Sequence, residues 1–292
     1  MKLVVLKGGD ENVPLPQALR TRAPSRAPGA VALSGDGQRW VLVNVSPLVA
    51  DQLATDARLL RHHGLPDAAV RAVVLTDAQV DHVTGLLSLR DGAPIHLYAT
   101  PAVFEELTHT LPVLPLLEHY CGVHWHVIPV AGECRSAVFR VEGQPNLEFT
   151  AIATDGPLPP HAVRPDSPSI GETIALAVRD LGTGQRLFCA NHLGSAGAAA
   201  MDWMREADCV LVGAGPGESL EPDAAEAADG EAVNPMVDTA PPADVLGLLD
   251  GIRAQRKVLM CRQAWSDGPC EAPPQWRQRG IEFAADRMEI EL

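Results

Sequence analysis

Val73-Val74-Leu75-Thr76-Asp77-Ala78-Gln79-Val80-Asp81-His82-Val83-Thr84-Gly85-Leu86-Leu87 is the stretch on which the reading of this chain turns. Val73 to Leu75 is a short apolar run of the kind that forms a buried strand. Thr76 to His82 then packs two carboxylates, an amide and an imidazole into a polar turn, and Thr84 to Leu87 resumes as the start of a helix. A loop between strand and helix is a favourable mount for chemistry, because its ends are fixed while its side chains stay reachable. Asp77, Asp81 and His82 are donors that divalent metals accept. Against that stands a purely structural role, in which the two aspartates cap the helix.

Composition narrows the field. The chain has 292 residues, is 46% apolar and carries a formal charge of −14. That is an ordinary globular composition, and the charge argues against nucleic acid or an anionic membrane as partner. No apolar stretch approaches the ~20 residues that span a bilayer. The segment Met1 to Lys7 is too short in apolar residues for a secretory signal and reads as a first strand, so the cytoplasm is the expected compartment. The six cysteines include no Cys-x-x-Cys pair, which suits free thiols in a reducing compartment.

Outward from the opening stretch, Ala30–Ser34 and Arg39–Val43 flank Gly-Asp-Gly and form an expected hairpin. Ser46-Pro47 is a helix start, with the helix expected to run through Leu53 toward Leu60. Thr100-Pro101 repeats that signature. Further strands are expected at Ile95–Tyr98, Gly122–Val130, Ala137–Val141 and Leu147–Ala153. A second hairpin joins Thr173–Val178 to Arg186–Ala190. Ala196–Glu206 and Ala243–Gln255 read as helices, Cys209–Val212 and Lys257–Cys261 as strands, and Ile281–Leu292 as one closing strand. Gly8 to Pro28 and the acidic Gly213 to Gly230 read as long loops. No internal segment has the composition of a domain boundary, so residues 1–292 are expected to form one domain of mixed sheets covered by helices. Cys121-x-x-His124-x-His126 has a ligand-like spacing, since His124 and His126 share a strand face; the plainer reading is a strand with one polar face. Cys189 and Cys209, in apolar runs, are expected to be inert core thiols.

The segment Thr76 to Gly85 resembles the altered metal motif of the pyrroloquinoline quinone (PQQ) biosynthesis protein B family, within the metallo-β-lactamase fold. Trp40 to Pro47, Gly85 to Arg90, His119 to Val123, Thr183 to Phe188, Ala207 to Cys209 and Met288 to Leu292 match that family in the same order. The resemblance implies an αββα four-layer sandwich of two mixed β-sheets with helices outside. It also implies a place in making a peptide-derived quinone. Two family roles are implied: metal-dependent hydroxylation of a precursor tyrosine, and transport of the cofactor or its precursor toward the periplasm. The implied ligands are a PQQ precursor peptide or small aromatic intermediate, with a second copy or other pathway proteins as partners.

The carry-over is incomplete. Ordinary metallo-β-lactamase relatives read His-x-His-x-Asp-His here; this chain has Asp77 and Gln79 at the first two histidine positions and keeps Asp81 and His82, the expected catalytic and metal-binding pair. The family's N-terminal cysteine cluster, its structural zinc site, is replaced by a cysteine-free loop over Gly9–Arg26. Two family histidines become Asn234 and Cys261, and the family's Asp-Gly-Thr becomes Gly213-Ala214-Gly215. Asp77, His192, Asn234 and Cys261 are therefore the candidates to complete the metal set, and Gln79, Asn44 and Ser46 those to touch substrate. The resemblance leaves two states open: iron or zinc at a depleted site, or a degenerate binding protein with no metal.

Overall fold

The computed structural model describes residues 1–7, 29–56, 59, 70–162, 169–194, 197–213, 245–260 and 274–292. Strands β1 (Lys2–Lys7), β2 (Ala30–Ser34), β3 (Trp40–Val43), β4 (Val70–Val74), β5 (Ile95–Ala99) and β6 (Val123–Val127) run in chain order across one sheet. The second sheet holds β7 (Ser136–Phe139), β8 (Leu147–Ala153), β9 (Ile174–Asp180), β10 (Arg186–Ala190), β11 (Cys209–Gly213), β12 (Arg256–Met260) and β13 (Ile281–Phe283). A last strand, β14 (Glu289–Glu291), returns to pair with β1. Both sheets are mixed. β1 to β3 are antiparallel and β3 to β6 parallel. In the second sheet β7 to β10 are antiparallel and β10 to β13 parallel.

Inner strands such as β2, β3 and β11 read as continuous apolar runs because both of their faces are covered. β1 shows this residue by residue. Leu3 and Val5 point into the core between the sheets, while Val4 and Leu6 face the helices outside. Those helices are α1 (Ala50–Thr55), α3 (Pro101–His109) and α4 (Val113–Glu118), with the short α2 (Val80–Val83) beside them. They bury Leu53, Val103, Leu107, Val83 and Leu117 on the first sheet. On the second sheet, α5 (Ala198–Glu206), α6 (Val245–Asp250) and α7 (Pro274–Gln278) bury Met204, Leu249 and Trp276. Helix, sheet, sheet, helix is the expected four-layer sandwich.

Both expected hairpins form. In the first, the Asp36 carboxylate accepts backbone N–H bonds from Gln38 and Arg39, each at 2.8 Å, and the Ser34 hydroxyl at 3.1 Å. What burial Asp36 has works to raise its carboxyl, but the Arg39 and Gln38 amides outweigh it and hold the group below the usual range. Asp36→Ala is expected to cost about 1 kcal/mol of stability in urea unfolding, the worth of a turn-closing side chain.

Three expectations are corrected. The helix after Ser46 ends at Thr55 rather than near Leu60, where the Asp56 N–H closes the last turn on the Gln52 carbonyl. The helix expected over Ala243–Gln255 ends at Asp250, because the Gly251 N–H folds back onto the carbonyls of Gly247 and Leu248. The closing strand is two strands, one in each sheet. Arg287 takes a positive φ of 63° between them, and its N–H donates to the Val5 carbonyl. Most of the Gly8–Pro28 and Gly213–Gly230 loops, with Asn234, Cys261 and Cys270, lies outside the described residues.

Candidate metal centre

The polar turn after β4 gathers donors into one cluster, and the carboxylate it places there is Asp77, one of the candidates, rather than Asp81. Asn44, at the end of β3, adopts a positive φ of 56°. Its carbonyl oxygen accepts the Thr76 N–H at 3.0 Å and its amide donates to the Thr76 hydroxyl at 2.8 Å. This fixes the exit of the chain from β4 and aims Asp77 inward. The Asp77 carboxylate is then engaged on both oxygens: Oδ2 accepts from the Thr76 hydroxyl at 3.0 Å, and Oδ1 from the Gln79 N–H at 2.9 Å. The second bond is an aspartate turn two residues on. It starts α2, whose single turn brings His82 back so that Nδ1 lies 2.6 Å from Asp77 Oδ1.

The third member arrives from the other sheet. His192 follows β10, and its ring stacks on His82 with centroids 5.5 Å apart and planes inclined by 26°. One donor atom from each of Asp77, His82 and His192 lies within 4.8 Å of the other two, and all three residues are buried, at 1%, 0% and 3% exposure. The sheets are tied at this point. The Ile174 N–H donates to the Thr76 carbonyl at 2.9 Å, and the Gln79 side-chain amide donates to the Pro157 carbonyl at 2.9 Å. The Thr154 hydroxyl donates to the His192 carbonyl at 3.2 Å.

Full burial alone would raise the Asp77 carboxyl. The charge and hydrogen bond of His82, the charge of His192 and the Gln79 N–H outweigh it and hold Asp77 well below the usual carboxylate range. With Asp77 ionised, His82 Nδ1 carries the hydrogen between them. A carboxylate that fixes one ring nitrogen as N–H leaves the other with the lone pair a metal takes. Asp77 can thus ligate or orient, and either role suits a divalent ion with borderline donors.

Asp81 is displaced from its expected role. It is exposed and lies outside the cluster, because neighbouring residues on one helical turn face different directions, so His82 and Asp81 cannot both look inward. Ser46 and Asn44, expected at the substrate, are fully buried. The Ser46 hydroxyl accepts the Leu48 N–H at the start of a helical turn, while Asn44 and Gln79 position the Asp77 turn. Burial pushes the thiols of Cys189 and Cys209 up to about 12, as inert core cysteines require.

A two-sheet sandwich with its donor cluster where a strand of each sheet ends is the architecture of the β-lactamase superfamily. Residues 39–260 match that family's Beta-lactamase superfamily domain. Coenzyme PQQ synthesis protein B of Pseudomonas putida (strain GB-1) is 35% identical over 280 residues, covering 93% of this chain and 89% of that protein. The protein of the same name from Pseudomonas syringae pv. tomato is 34% identical over 277 residues, with the same two coverages. The crystal structure of Zn2+-bound PqqB from Methylobacterium extorquens superposes over 100% of both chains with a TM-score of 0.68, at 22% identity. The chain belongs to the coenzyme PQQ synthesis protein B family. Among the described residues no helix is long and apolar enough to cross a membrane.

Proposed function

We propose that this chain serves coenzyme PQQ synthesis as a metal-dependent hydroxylase of a tyrosine-derived precursor, with Asp77, His82 and His192 as its donor set. The observation that carries the reading is the convergence of two imidazoles and one carboxylate, from opposite sheets, within 4.8 Å. Two histidines and one carboxylate suit non-haem iron, which when bound would supply the oxygen chemistry. A zinc ion, as in the M. extorquens protein, suits the same donors. The protein's own residues do the rest. Asn44 and Thr76 hold Asp77 in place for the ion, and the buried surroundings exclude water. Asp81, exposed at the start of α2, is available to a substrate rather than to the metal. We take residues 1–292 as one domain acting in the cytoplasm on a precursor peptide or small aromatic intermediate.

Anaerobic reconstitution with Fe(II) tests this directly. Wild-type protein is expected to retain one more equivalent of iron than His192→Ala, and to consume oxygen with a tyrosine-containing precursor. Equal iron in the two proteins would overturn the assignment of the ligands. Iron uptake with no turnover of any tyrosine-containing precursor would overturn the reaction.

A further inference from the structure

A second convergence of donors lies at the β6 edge of the first sheet, where β7 of the second sheet also ends. β5 and β6 pair in parallel with His96 opposite His124 and Tyr98 opposite His126. All four side chains therefore share one sheet face, the face turned toward the second sheet. β6 is the outer strand of its sheet and β7 that of the other. Glu142, three residues beyond the end of β7, completes the group from the second sheet.

The distances suit one ion. His96 Nδ1 lies 3.0 Å from His126 Nε2 and 3.0 Å from Glu142 Oε2. The three donor atoms all fall within 4.8 Å of one another. With metal–ligand bonds of about 2.0–2.1 Å, adjacent ligand atoms stand about 2.9 Å apart at right angles and about 3.4 Å apart in a tetrahedron. A single hydrogen on His96 Nδ1 can be directed at only one of its two neighbours, whereas a cation would engage all three donors. The rings are also held in place. Tyr98 stacks on His126 at 4.4 Å, and the Tyr98 hydroxyl accepts the Glu142 N–H at 2.9 Å. Solvent reaches the cluster through Glu142, whose side chain is 56% exposed, so an ion has a way in. His124 is exposed and lies edge-on to His96 at 5.2 Å.

We propose that His96, His126 and Glu142 form a second site for a borderline divalent metal such as zinc, which fastens the two sheets at their open edge. Donors from β5, β6 and the segment after β7 give such an ion the part of a cross-link. Nothing in this proposal depends on the centre at Asp77, and the two are separable by mutation.

Zinc titration calorimetry and thermal unfolding of the full chain provide the test, with Glu142→Gln and His126→Ala beside wild type and with His192→Ala to remove the first centre. Glu142 is exposed, so its amide variant keeps the fold intact. Zinc is expected to bind His192→Ala with one remaining equivalent and to raise its melting temperature. Adding Glu142→Gln to that background should weaken this affinity at least tenfold, and adding His126→Ala should abolish it. Retention of full zinc affinity by both double variants, or no zinc bound by folded His192→Ala, would overturn the second site. Neither result bears on iron at Asp77, which the wild-type comparison with His192→Ala reads separately.

Discussion

Asp77→Ala is expected to destabilise the protein by about 3–5 kcal/mol, as removal of one member of a buried charged pair does. The substitution strands three donors at once: the His82 ring, the Thr76 hydroxyl and the Gln79 N–H, all of which meet the Asp77 carboxylate. Urea unfolding at neutral pH measures the loss, and a cycle with His82→Ala should return a coupling between the two side chains of about 1–3 kcal/mol. The pH dependence carries a sign of its own. The folded protein depresses the Asp77 carboxyl, so its contribution is fully present above the unfolded value near 4 and is lost as pH falls from there toward the folded value. Wild type should therefore lose stability on acidification through that window more steeply than Asp77→Ala. Parallel acid profiles for the two proteins would mean that Asp77 is not ionised in the folded state.

Gly85→Ala is the second large effect, although the residue contributes no functional group. A β-carbon at Gly85 would stand 2.4 Å from the backbone oxygens of both Val45 and Ser46. Neither oxygen belongs to a movable side chain. The close approach has a purpose: the Gly85 N–H donates to the Val45 carbonyl at 2.9 Å, and the Val45 N–H donates to the His82 carbonyl at 2.7 Å. The added methyl must push the segment that carries His82 away from the segment that carries Asn44. The expected loss is about 3 kcal/mol, at the upper end for overpacking, because a reciprocal backbone tie breaks as well. Metal affinity should fall with it. Gly85→Ala with wild-type stability would show that these two segments can part freely.

How much of this was legible in the sequence depends on how far apart the contributing residues stand. The order strand, polar turn, helix in Val73–Leu87 is legible from its apolar and polar pattern, although the α-helix begins at Val80 rather than Thr84 and continues as a 3-10 helix over Thr84–Leu89; both hairpins are legible from their glycine turns. His82 clusters with Asp77 rather than with its neighbour Asp81, the pair expected. Proximity in the chain suggested that pair, yet the aspartate turn at Asp77 folds the backbone so that a residue five positions earlier meets the ring. His192 was a candidate, but its distance from His82 depends on how the sheets dock, which no local pattern encodes. His124 and His126 drew attention through their spacing, while the members that converge with His126 are His96 and Glu142. His96 had a usable signal, an alternating position on the preceding parallel strand. Glu142 had none, since it comes from the opposite sheet. The closing segment was misread because Ile281 to Leu292 is apolar at both ends, and only the crossing between sheets separates the two halves.

Asp77 and His192 stand more than a hundred positions apart and belong to different sheets. Neither half of the sandwich can present the donor set unaided, and contacts of such separation slow folding. A full donor set therefore requires both sheets to be docked: a chain with only its first sheet in place offers Asp77 and His82 but not His192. An ion held by the full set would resist separation of the halves in proportion to its affinity.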